Sequence, residues 1–158
     1  DITPDEILTL PVDIVIPAAL EDVITEEIAK KMKAQIVLEM ANAPTTAKGE
    51  RILNERGILV IPDVLANSGG VAVSYFEWYQ NMKNESWSKE KVFSRLKSKM
   101  ERATELVVQA KEEHEVTLRE AAFIVAVKRI EKAWYTKHEN RKKTIKKEHN
   151  VQSNTYTY

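Results

Sequence analysis

The chain has 158 residues, with 24 Lys plus Arg balanced by 24 Asp plus Glu, three histidines and no cysteine. Zero formal charge gives no electrostatic case for a nucleic-acid or membrane-surface partner, and the missing thiols exclude disulfides and zinc–cysteine sites. No stretch approaches the roughly 18 apolar residues of a membrane span and no basic-apolar leader opens the chain, so a soluble, cytoplasmic domain with its own core is expected. Because the first residue is Asp1 rather than Met, a processed chain or a piece of something longer is also expected.

In chain order, the first apolar run is Val12-Asp13-Ile14-Val15-Ile16, closed by Pro17. Val23, Ile24, Ile28, Ala29 and Met32 then recur at three-to-four spacing, which predicts a helix. Ile36-Val37-Leu38 runs into Ala41-Asn42-Ala43-Pro44, and a second helix from about Thr45 carries Ile52 and Leu53 before Gly57, placed as a C-cap. Ile58-Leu59-Val60-Ile61 ends at Pro62-Asp63. Short β-branched runs closed by Pro or Asn read as buried strands of a parallel sheet, and their alternation with helices is a βαβ rhythm with right-handed crossovers.

Beyond residue 70 the pattern becomes helical. Val71 to about Met82 carries aromatics on a helical period. From Ser88 to Glu115, Val92, Leu96, Met100, Ala103, Val107 and Ala110 form one stripe on a long helix. Thr117-Leu118-Arg119-Glu120 has the spacing of a capping box and opens a last helix, ending at about Trp134 or Lys137. Residues 139–158 are poor in apolar side chains and are expected to form a frayed or disordered tail. The expected fold is α/β: about three strands of a partial Rossmann-like parallel sheet over residues 1–87, followed by a helical C-terminal part, 88–138. Three strands are few for a doubly wound sheet, which points to missing segments in front.

Several chemistries are absent. The four glycines, Gly49, Gly57, Gly69 and Gly70, cannot build a G-x-G-x-x-G phosphate turn. His114, His138 and His149 lack metal-ligand spacing and lie in charged neighbourhoods, which reads as solvated surface. The lysines between Arg141 and Lys147 read as a solubilising tail rather than an anion-binding arm. No metal site and no catalytic residue is assigned.

Three loops follow the predicted strands, at the edge where open parallel sheets bind ligands: Pro17-Ala18-Ala19, Ala41 to Thr46, and Ala66-Asn67-Ser68-Gly69-Gly70. Their small residues let a ligand approach the backbone, and the amides of Asn42 and Asn67 suit a carboxamide or carboxylate. The plainer alternative makes both asparagines helix N-caps and Gly69-Gly70 a tight turn. Ser74, within Val73-Ser-Tyr-Phe-Glu-Trp78, reads either as a structural helix serine or as a ligand contact.

These stretches resemble the glutamate dehydrogenases of the glutamate/leucine/phenylalanine/valine dehydrogenase family. The resemblance rests on Asp13 to Leu20, Ala41 to Thr46, Ile58 to Trp78 and Leu118 to Ile130, in the family's order, across about residues 10 to 137. It implies an NAD- or NADP-dependent oxidoreductase for L-glutamate and 2-oxoglutarate, working as a homo-oligomer in the full protein. It further implies that Ala18, Ala19, Asn42 and Asn67 line the nicotinamide end of the cofactor and that Ser74 binds the side-chain carboxylate of glutamate. The helices after residue 88 are implied to form the hinge of a closing cleft.

Two departures bear on the cofactor loop: Ala43 replaces the family's glycine, and Met40 replaces a small residue. The family's catalytic lysine and aspartate belong to segments that precede this part, so the chain by itself is expected to be inactive and to need its N-terminal part as partner. The alternative expectation is a truncated, non-catalytic remnant that self-associates through its exposed sheet edge.

Overall fold

A computed structural model describes residues 2–153, with side chains described to residue 138. The chain divides into two compact units, Asp1–Ala122 and Phe123–Tyr158.

The first unit opens on a short helix the apolar pattern does not signal, α1 (Pro4–Leu8). Thr3 and Glu6 close a reciprocal capping box there, and Pro4 sits where its missing N–H costs nothing. Three short parallel strands follow: β1 (Ile14–Val15), β2 (Ile36–Leu38) and β3 (Leu59–Ile61), in that spatial order. The expected runs are trimmed at their ends but keep their places.

Register explains the core. Val15 pairs with Val37 and Val37 with Val60, and all three are buried on one face of the sheet. The helices α2 (Glu26–Lys31) and α3 (Ala47–Glu55) are the two crossovers, and sequential crossovers of one hand place both helices on the same face. Ile24, Ile28, Ala29, Met32 and Leu53 join the valines in one cluster. The strands are therefore not buried on both faces as expected: Ile14 and Leu59, on the opposite face, are 48% and 42% exposed. Helix α2 also starts later than its apolar period implies, because Ile24 is spent on a parallel bridge to Thr45 and Thr25 becomes the N-cap.

Helix α3 ends where the glycine places it, with Gly57 at φ 71° and its N–H donating to Asn54 O at 3.0 Å. Arg56 then reaches back to the carbonyls of Ala29 and, at 2.6 Å, Met32, closing the end of α2. A one-turn helix α4 (Asp63–Ala66) leads into α5 (Ser68–Lys83). Gly69 and Gly70 lie inside the first turn of α5, so they do not form a separate tight turn.

Helix α6 (Lys89–His114) occupies the expected span; Ser88 caps its start, accepting from Lys91 N–H at 3.3 Å, and it ends on Glu115 in the left-handed region. Leu96 and Met100 of its stripe, both partly buried, face the start of α5 at Ser68 and Gly69, and Val107 and Ala110 are buried further along. Trp87 locks the α5–α6 turn: its N–H donates to Gln80 Oε1 at 2.5 Å, its ring meets Phe76 and Tyr79, and Arg95 lies 4.1 Å over it.

Helix α7 (Leu118–Ser153) starts at the expected capping box, with Thr117 N–H donating to Glu120 Oε2 at 2.9 Å. It continues past Trp134 and Lys137 into the expected tail, and residues 154–158 lie outside the described residues. Residues 118–153 contain no Gly or Pro and many Lys, Arg and Glu, so low apolar content does not break the helix. In the second unit, His138 stacks on Trp134 with ring centroids 3.8 Å apart rather than standing free in solvent.

Candidate functional site

The three small-residue loops converge at the C-terminal edge of the sheet, because parallel strands all end on one side. The first and second loops are joined through Pro17 O, which accepts from Met40 N–H at 3.0 Å and Ala41 N–H at 2.8 Å. Ala18 and Ala19 follow, both exposed at this rim. The second and third loops are joined by side chains. Asn67 Nδ2 donates to Asn42 Oδ1 at 2.7 Å, and Asp63 Oδ2 accepts from Ala43 N–H at 2.8 Å.

These contacts bear on the cap reading of the asparagines. Thr46 caps α3, accepting from Gly49 N–H at 3.1 Å, so Asn42 is not that cap. Asn67 precedes α5 but makes no side-chain cap bond. Both amides are instead turned toward each other across the rim. Each amide has a donor end and an acceptor end. With Asn67 donating to Asn42, the pair leaves Asn42 Nδ2 and Asn67 Oδ1 without a hydrogen-bond partner among the described residues.

Ala43, where the resemblance expects glycine, sits at φ 45°. Holding a non-glycine residue there costs about 1–2 kcal/mol. Both sides of Ala43 are tied down: its N–H by Asp63, and its carbonyl by Asp22 N–H at 2.9 Å. Replacing Ala43 by Gly is expected to stabilise the chain by roughly 0.5–1 kcal/mol, the relieved strain less the extra unfolded-state entropy of glycine. Urea midpoints of the two proteins check this; an A43G midpoint below that of the parent would show that the loop is not strained.

The sequence reading missed the group beneath this rim. Arg119, at the start of α7, meets three carboxyl groups from three elements. Its Nη2 lies 2.6 Å from Glu39 Oε2, its Nε 2.6 Å from Glu50 Oε2 and its Nη1 2.9 Å from Asp63 Oδ1. Glu39 follows directly on β2 and is fully buried. It also accepts from Asp63 N–H at 2.9 Å, while its Oε1 has no partner. Burial disfavours the charged form of the Asp63 carboxyl. The N–H groups of Ala43 and Val64 and the Arg119 charge outweigh this and hold it below the ordinary aspartate value. Burial acts against the Arg119 charge as well, but Glu39 and Glu50 more than restore it. A charged residue directly after a buried apolar run, as in Ile36-Val37-Leu38-Glu39, was the available signal.

Ser74 lies on α5, exposed, with its hydroxyl donating to Gly70 O at 3.3 Å inside its own helix. It makes no hydrogen bond to Asn42 or Asn67. Among the described residues no His/Asp/Glu group is placed to hold a metal, and no helix is long and apolar enough to cross a membrane.

Residues 1–137 match the family model for glutamate/leucine/phenylalanine/valine dehydrogenases. The chain belongs to that family. It is 46% identical over 139 residues to the NAD-specific glutamate dehydrogenase of Clostridioides difficile, covering 85% of this chain and 33% of that protein. To NAD-specific glutamate dehydrogenase A of Halobacterium salinarum it is 49% identical over 132 residues, covering 84% of this chain and 30% of that one. Among solved structures, glutamate dehydrogenase of Peptoniphilus asaccharolyticus matches with TM-score 0.73 and 46% identity, over 77% of this chain and 31% of that one. The hetero-hexameric glutamate dehydrogenase of Thermus thermophilus, in its Leu-bound form, matches with TM-score 0.81 and 32% identity, over 84% of this chain and 32% of that one. The chain thus spans about a third of the length of the family members it matches.

Proposed function

We propose that this chain provides the nicotinamide side of the cofactor site in an NAD(P)-dependent glutamate dehydrogenase, which converts L-glutamate to 2-oxoglutarate and ammonia. The observation that carries the reading is the Asn42–Asn67 pair at the sheet's C-terminal edge. The pair leaves one amide N–H and one amide oxygen open, the donor and the acceptor that a carboxamide can engage. Ala18 and Ala19 are exposed and carry only methyl side chains, so neither obstructs a planar ring at this rim.

The nicotinamide would supply the hydride acceptor; the protein groups bind and orient around it. Ser74 is assigned to the side-chain carboxylate of glutamate. Its hydroxyl is engaged only by its own helix, so it can turn to donate to an incoming anion. NAD is favoured over NADP because both curated relatives above are NAD-specific. Homo-oligomeric assembly of the full protein follows from the same family reading.

The test is complementation. By itself the 158-residue chain is expected to give no glutamate-dependent NAD reduction, because it has no G-x-G-x-x-G turn and spans a third of its relatives' length. Mixed with the N-terminal portion of the Clostridioides difficile relative, it is expected to give turnover. In that mixture Ser74→Ala should lower kcat/KM for glutamate by roughly 10- to 100-fold, the loss of one hydrogen bond to a charged group. Unchanged kcat/KM in S74A would remove Ser74 from the substrate site.

A further inference from the structure

We propose that Arg119 is a positioning residue for the loop 41–46, acting through Asp63 rather than by contact with any ligand; the functional part of this rests on the cofactor-side reading of that loop given above. The argument begins with the strained Ala43. A residue held at φ 45° returns to the ordinary regions unless its surroundings hold it there. The group holding the Ala43 N–H is Asp63 Oδ2, on a side chain whose other oxygen accepts from Arg119 Nη1 and, at 2.8 Å, from Val64 N–H.

The guanidinium is itself fixed at two further points. Its Nη2 and Nε are committed to Glu39 after β2 and Glu50 on α3. Three nitrogens of one planar group therefore meet three carboxyl groups carried by separate elements. Only a rigid fork can do this, and the single ammonium of a lysine cannot span the same three directions. Arg119 thus sets where Asp63 points, Asp63 sets the Ala43 amide, and Asn42 is the neighbouring residue whose Oδ1 must reach Asn67. Arg119 makes no hydrogen bond to Asn42, Asn67, Ala18 or Ala19.

Hydrogen exchange by NMR on the full chain tests this with Arg119→Lys. The Ala43 amide is expected to exchange roughly tenfold faster, the equivalent of one hydrogen bond to a charged acceptor. The Asn67 side-chain amide should shift, while core amides such as Leu53 keep their protection. A merely structural role predicts that all amides accelerate together, and that outcome, or an unchanged Ala43, overturns the proposal. Should R119K fail to fold, Glu50→Gln weakens one anchor of the same guanidinium. It is expected to speed the Ala43 amide a few-fold more than core amides such as Leu53, and an acceleration equal at both overturns the proposal equally. NADH fluorescence titration of the complemented mixture separates the two readings. If the parent mixture fails to bind NADH while Ala43 responds to R119K, the cofactor reading falls and the positioning role stands. If the parent binds, R119K should raise the Kd.

Discussion

Arg119→Met is expected to lower the unfolding free energy by roughly 3–5 kcal/mol, the range for breaking a buried ion pair by removing one partner. The Arg119 side chain is only 20% exposed and Glu39 is fully buried, so water cannot replace what the guanidinium provides. The loss is asymmetric. Removing Arg119 leaves three carboxyl groups without their shared cation. Glu50→Gln leaves Arg119 with two carboxyl partners and a neutral acceptor, and should cost only about 1 kcal/mol. Urea denaturation of the parent and both variants measures the difference. Equal costs for R119M and E50Q would show that the pairs act independently, and the shared-cation account would fail.

Gly49→Ala is the second large effect, and here two physical arguments disagree in sign. Gly49 lies inside α3, where alanine is the better helix former by about 1 kcal/mol. Packing says otherwise. A Cβ at Gly49 would collide with the Ile24 carbonyl oxygen and lie 3.2 Å from that of Thr25. Both are backbone atoms at the entry to α2 and cannot rotate aside. The Ile24 carbonyl is further pinned by Thr46 N–H at 3.1 Å. A forced backbone shift costs typically 1–3 kcal/mol, on top of recovering the propensity gain. G49A should therefore lower the urea midpoint. Gly70→Ala is the control, since it is helical with nothing within 4 Å of an added Cβ, and should raise it. A midpoint raised by G49A would show that α2 and α3 are not this close.

Legibility in the sequence followed the range of the interactions concerned. Thr117 and Glu120 were readable as a capping box because a cap bonds a backbone group three residues away. The three strands were readable from apolar runs, and the end of α3 from the glycine that follows it. The length of α7 was misjudged for the opposite reason. Apolar content reports burial, and a helix without Gly or Pro can continue without burying anything. That the two asparagines bond each other rather than cap helices was not readable, because it depends on their mutual distance. Asn42 and Asn67 are 25 residues apart, and nothing local brings them together.

By itself, then, the sequence determined the element types, their order, the parallel sheet and the gathering of small-residue loops on one edge, since hydrophobic period and cap chemistry act over a few residues. Tertiary structure alone decided which face of the sheet is covered and that Ala43 adopts a left-handed backbone. It also decided that Arg119 finds carboxyl groups 56, 69 and 80 residues away. Those outcomes depend on strand register and helix placement, which are set by the collective packing of the valine ladder and its two helices. No single segment carries that information.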